Sequence, residues 1–189
     1  FRKEFDSILD GIVYGAIVAL GFAAIENVLY IYRNGYQEGG WEGFWVLVVV
    51  RVALVGWMHP FFTAFTGIGF AVARLNKNML VKILAIPAGY VVAVLTHAFH
   101  NTFGSLVGGE GGFFLGLLAD YLGYFLMIVF IVWMIFHERS ILKRQLVEEV
   151  SNGAISQQQY KTAISFVQFN AHISALTSGS FGPTKRFYQ

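Results

Sequence analysis

The run IVYGAIVALGFAAIENVLYIY, Ile12 to Tyr32, decides the fold. Its twenty-one residues carry a single charge, Glu26. At a rise of about 1.5 Å per residue a helix of that length crosses a hydrocarbon core of about 30 Å. Three further stretches read the same way: Phe44–Ala73, Ile83–Val107 and Phe113–Phe136. Among them the four segments hold only Glu26, Arg51 and Asp120, while the other twenty-one charged residues lie in the remaining 89. Such segregation excludes an ordinary soluble enzyme. It predicts an all-α, polytopic helical membrane bundle of about four transmembrane spans.

The segments differ in detail. Phe44–Ala73 is over-long for one upright span, so it must tilt, kink near Pro60, or begin along the interface. Pro87 lies one turn into the third segment, which a membrane helix tolerates when neighbours satisfy the freed carbonyl. The link Gly108–Gly112 is short, so the third and fourth helices should be antiparallel neighbours. Arg2 and Lys3, then Arg74, Lys77 and Lys82, then Arg139, Lys143 and Arg144 fall on one side of four crossings; the opposite loops hold Arg33 as their one basic residue. The positive-inside rule makes that side cytoplasmic, with both termini of the chain there.

The expected organisation is a transmembrane domain over residues 1–136, a cytoplasmic helical tail over 137–176, and a disordered end over 177–189. Within the tail a Ser-Asn-Gly turn at 151–153 precedes a second helix capped by Ser156. A formal net charge of +2 gives no nucleic-acid footprint, so the expected surroundings are the lipid bilayer and membrane-tethered proteins. No cysteine is present, which excludes disulfide scaffolds, thiolate metal sites and cysteine nucleophiles. The first residue is Phe1 rather than Met, so a longer protein is expected to begin upstream. Ile12–Tyr32 is too long for a signal-peptide core.

Ionisable groups inside spans are costly, by about 3 kcal/mol on insertion scales, and mark functional sites by default. Glu26, His59 and His97 each lie fourteen residues from the cytoplasmic edge of their own segment. Helical rise puts all three at one level, about 21 Å deep. Glu26 shares its stripe with Ala23, Ala19 and Gly15; His59 with Gly56, Thr63, Thr66 and Gly67; His97 with His100, Asn101, Gly104, Ser105 and Gly108. Small residues let neighbouring helices approach, so these stripes should face one another. Asp120 is about sixteen residues from its edge and is a second-tier candidate. Arg51 is expected to snorkel or to pair with a carboxylate near the outer surface. His137 and His172 are expected outside the bilayer.

Two neutral imidazoles and a carboxylate suit Zn²⁺ with an open position for water, which would make His59, His97 and Glu26 the metal ligands. The carboxylate could instead serve as general base without a metal. His97 and His100 are three residues apart and close enough to share a site. Asn101, one turn beyond His97, could donate to an oxyanion.

Three motifs carry a resemblance. They are GFAAIEN at Gly21–Asn27, HPFFTAFTG at His59–Gly67, and THAFHNT at Thr96–Thr102. In order and spacing they resemble the PrsW family of intramembrane proteases, which is similar in turn to the CAAX-protease and bacteriocin-processing group. The resemblance covers about residues 6–107. It implies an all-helical protease of the prokaryotic plasma membrane that makes the first cut in a single-pass anti-sigma factor. By position Glu26 and Asn27 match the family's Glu-Asn pair, and His59 with Thr63 and Gly67 its first histidine motif. His97 and Asn101 match its last, where His100 stands at a position expected to be aromatic. The family is labelled metallopeptidase, although broader relatives are thought to use glutamate and histidine alone.

The family also carries EExxK on a helix upstream of the first motif, and nothing in this sequence matches it. Glu148-Glu149 lies in the tail without the following lysine. That departure supports an alternative, a non-catalytic PrsW-like membrane subunit binding a partner or lipid. A further alternative is a b-type haem protein with His59 and His97 as axial ligands.

Overall fold

The computed structural model describes residues 5–165, and every described element is helical. Arg2, Lys3, His172, the later part of the tail helix and the end expected to be disordered lie outside the described residues. The chain divides into two units, the boundary falling after Ile131. Three stretches, Ile8–Leu75, Met79–Phe103 and Phe114–Ser151, are long and apolar enough to cross a membrane.

The first stretch folds back on itself. Helix α1 (Ile8–Tyr30) begins with a capping box: the Asp10 N–H donates to Ser7 Oγ at 3.0 Å, and Asp10 Oδ2 accepts from the Ser7 N–H at 2.8 Å. It continues through a π-helical turn, Ile31–Tyr36, into α2 (Gln37–Val48). Gly40 reverses the chain inside α2, with φ 58° and ψ −147°, a region open essentially to glycine alone. The loop expected between the first two segments is therefore helical on both sides of one glycine. A second π-helical turn, Val49–Leu54, ends in a break at residues 55–57, and α3 (Met58–Leu75) carries the chain back along α1. The expected kink thus falls just before Pro60, which occupies the third helical position, where a missing N–H leaves no helical bond unmade.

Small residues set the spacing of the helices. Gly11 meets Gly67 and Gly15 meets Thr63, so α1 and α3 run antiparallel with their backbones in contact. A Cβ on Gly67 would run into the Gly11 carbonyl. Helix α4 (Met79–Val107) packs on α3 through Gly69, Ala85 and Gly89, and passes Pro87 without interruption. Gly108, at φ 76°, links it to α5 (Gly109–Ser151). Buried apolar side chains include Ala19, Ala23, Ala64 and Ala71, whereas Val18, Ile25, Leu106, Phe114 and Leu118 are exposed. Large apolar groups outward and small ones inward is the pattern of helices packed within lipid.

In the second unit α5 continues past the expected domain boundary at 136 to Ser151. A turn with Gly153 at φ 72° leads to α6 (Gln157–Ala163), capped by Ser156 as the sequence predicts. Arg139 Nε donates to the Ile164 carbonyl at 2.5 Å, and the Tyr160 hydroxyl to that of Lys143 at 3.4 Å, folding α6 back on α5. His137 is exposed and stacks on Trp133 at 5.4 Å.

Candidate active site

The side chains of Glu26 of α1, His59 of α3 and His97 of α4 come together, although the α1–α3 register sets His59 opposite Ala19 rather than opposite Glu26. Pairing Gly11 with Gly67 and Gly15 with Thr63 carries upward to place Glu26 beside the π-helical turn Val49–Leu54 that precedes α3. Glu26 Oε2 lies 3.2 Å from His59 Nε2. That contact is off the line of a hydrogen bond, and His59 Nε2 is buried with no hydrogen-bond partner among the described residues. The His59 ring meets the His97 ring edge-on, centroids 5.5 Å apart. Phe22 closes the other side of His59 at 5.4 Å.

Arg51 belongs to this cluster, and the sequence reading put it elsewhere. Its Nη2 donates to Glu26 Oε2 at 2.6 Å, and its Nε to Asn27 Oδ1 at 2.8 Å. The guanidinium carbon stands 4.2 Å from the centre of the Tyr30 ring. Arg51 does pair with a carboxylate, but the carboxylate is that of the central cluster rather than one at the outer surface. The signal was available: an intramembrane arginine needs an acidic partner, and the four spans contain only Glu26 and Asp120.

Two further candidates form a second pair beside the first. His100 Nδ1 and Asp120 Oδ2 are 2.8 Å apart, and Asp120 is the one buried acid among the described residues. The buried Phe62 ring joins the two groups. It stacks on His97 with centroids 5.1 Å apart and an interplanar angle of 20°, and lies 5.7 Å from His100. A cavity of about 290 Å³ adjoins this pair, with Phe61, Phe62, Thr96, Asp120 and Gly123 in its wall.

The remaining candidates stand apart. Thr63, one turn beyond His59, gives its backbone to the seam against Gly15. Asn101, one turn beyond His97, is exposed and makes no hydrogen bond among the described residues. Among the described residues no group of three or more His, Asp and Glu is arranged as a metal-binding cluster. Arg51 occupies the Glu26 oxygen nearest His59.

Residues 1–135 match the model of a family described as PrsW family intramembrane metalloprotease. Among curated proteins the chain is similar to "Protease PrsW" of Oceanobacillus iheyensis, 30% identical over 100 residues that cover 53% of this chain and 41% of that protein. It is 38% identical over 73 residues to the protein of the same name from Geobacillus kaustophilus, covering 39% of this chain and 28% of the relative. With that from Bacillus subtilis it shares 29% identity over 132 residues, 70% of this chain and 51% of the relative. The chain therefore spans about half, or less, of the length of these relatives. No solved structure matches it.

Proposed function

The chain belongs to the PrsW family of intramembrane metalloproteases, and on that premise we propose that its polar level activates water to cleave a peptide bond in a membrane-tethered protein. The observation that carries this reading is the approach of Glu26 Oε2 to His59 Nε2 at 3.2 Å, with the His97 ring against His59, in an otherwise apolar bundle. Acid and base groups brought together from separate helices are the usual material of general acid–base catalysis. An integral membrane protein has little other reason to gather them in one cluster.

In this mechanism Glu26 takes a proton from a water molecule, whose oxygen attacks the scissile carbonyl. His59 or His97, whichever carries a proton, gives it to the departing amine as the C–N bond breaks. Asn101 reaches the developing oxyanion once a substrate strand draws it in. His100 is held by Asp120 at 2.8 Å, and the Phe62 ring packs against both it and His97, so this pair fixes the wall of the site rather than carrying a proton. The substrate class follows the family resemblance: a membrane-anchored protein such as a single-pass anti-sigma factor, whose helix end must unwind to expose a peptide bond. Basic residues at 74, 77, 82, 139, 143 and 144 support a cytoplasmic placement for the α3–α4 link and the tail.

The test uses the full-length protein in liposomes with a membrane-tethered substrate. Glu26→Gln, His59→Ala and His97→Ala should each lower cleavage by about 10³-fold while helical content and thermal unfolding stay at wild-type values. Cleavage retained in any of the three removes that residue from the mechanism. A full-length protein whose phenotype survives all three supports the non-catalytic subunit instead.

A further inference from the structure

We propose that Arg51 is a positioning residue for Glu26, holding one carboxylate oxygen so that the other is aimed at water. The proposal rests on the reading of Glu26 as the base. Its own support is the division of labour between the two oxygens of that carboxylate. Oε2 carries both close approaches, Arg51 Nη2 at 2.6 Å and His59 Nε2 at 3.2 Å. Oε1 makes no hydrogen bond among the described residues. A free carboxylate on a glutamate rotates about its last torsion over a broad, twofold well. One anchored oxygen removes that freedom and fixes the direction from which the other accepts a proton.

Arg51 is itself held on three sides, which a casual surface pair is not. Nε donates to Asn27 Oδ1 at 2.8 Å, Nη2 to Glu26, and the guanidinium plane lies over Tyr30 at 4.2 Å. All three partners lie within five residues on α1, so the guanidinium reads one helix face as a unit. The local backbone explains how Arg51 gets there. The π-helical turn Val49–Leu54 and the break at 55–57 re-aim the chain just before α3, and π-helical turns of this kind recur at functional sites. Gly56 permits the break, since a Cβ there would strike the Val52 carbonyl. The planar fork of arginine presents Nε to Asn27 and Nη2 to Glu26 at a fixed spacing, which the single ammonium nitrogen of lysine does not reproduce.

Kinetics of the full-length protein in liposomes, with the same tethered substrate, test this. Arg51→Met should lower kcat by about 100-fold with KM within about threefold of wild type, because the lost interaction acts on the reacting geometry and not on substrate binding. Arg51→Lys should recover about tenfold of that loss, keeping the charge but not the fork. Arg51→Met combined with Glu26→Gln should be no worse than Glu26→Gln alone. Should Arg51→Met fail to insert, Asn27→Ala decides the matter, since it frees Nε and leaves the ion pair; a kcat drop of about tenfold is expected. The proposal is overturned if kcat is unchanged in Arg51→Met or, failing that, in Asn27→Ala, or if the loss lies in KM. Full cleavage by Glu26→Gln overturns the reading of the base itself, a result distinct from an inactive Glu26→Gln beside an active Arg51→Met.

Discussion

Helices α1 and α3 meet twice, and the two meetings are built on opposite principles. Lower in the pair Gly11 faces Gly67 and Gly15 faces Thr63, backbone against backbone with no side chain between. Higher up, Glu26, Arg51 and His59 fill the same interface with charge and hydrogen bonds. The seam has no rotatable side chain at its closest contacts, which are main-chain atoms and the Cβ of Ala71. The polar level consists of long side chains whose torsions can readjust. A rigid seam beneath an adjustable cluster lets a site keep its depth while its atoms shift during a reaction. It also separates stability from activity by location, which makes the division testable.

The largest effect should come from the seam. Gly67→Val places a branched side chain against the Gly11 carbonyl, where backbone must yield, and is expected to cost about 3 kcal/mol or more. Unfolding in mixed micelles, followed by far-ultraviolet circular dichroism, would measure it. Cleavage should fall only in step with the folded fraction. A fully folded Gly67→Val protein with normal unfolding would break the contrast at its stronger end.

The seam was also the more legible region. Gly15, Ala19 and Ala23 recur at helical spacing with Glu26, and Ala19 and Ala23 are indeed buried where α1 turns toward its neighbours. Counting residues from the cytoplasmic edges gathered Glu26, His59 and His97 because α1, α3 and α4 stay regular below them, but it missed that His59 stands opposite Ala19. Arg51 escaped the same arithmetic. It lies in a π-helical turn next to a break, where residues no longer advance by about 100° each, so neither its depth nor its facing follows from counting. Gly40 lies in the loop expected between the first two segments, and only its backbone angles reveal that the reversal is made at this one residue.

An intermediate effect is expected at the second polar pair. Asp120→Asn keeps the size of the side chain but cannot hold the His100 ring as a carboxylate does across 2.8 Å. The loosened ring should lower kcat by about tenfold, with unfolding unchanged within about 0.5 kcal/mol. Single-turnover cleavage by the full-length protein gives the first number and mixed-micelle unfolding the second. A stability loss without a kinetic one would move Asp120 from the adjustable cluster to the rigid framework, and so redraw the boundary between the two regions.

The smallest effect, and the one of opposite sign, belongs to Gly21. It lies on α1 between the seam and Glu26, yet a Cβ there would meet no atom within 4 Å. Glycine inside a helix costs about 0.5–1 kcal/mol relative to alanine unless a close approach requires it. Gly21→Ala should therefore leave stability unchanged or raise it by up to about 1 kcal/mol, whereas Gly15→Ala, 2.9 Å from the Thr63 carbonyl oxygen, should lower it. The pair of variants holds helix, residue type and substitution constant and varies only the neighbour. If both destabilise alike, the loss comes from glycine in this helix generally, and the seam owes nothing to the particular contacts of α1 with α3. If Gly21→Ala folds better but cleaves more slowly, the open space beside it is used by something that approaches α1 from outside the bundle, next to the base it precedes.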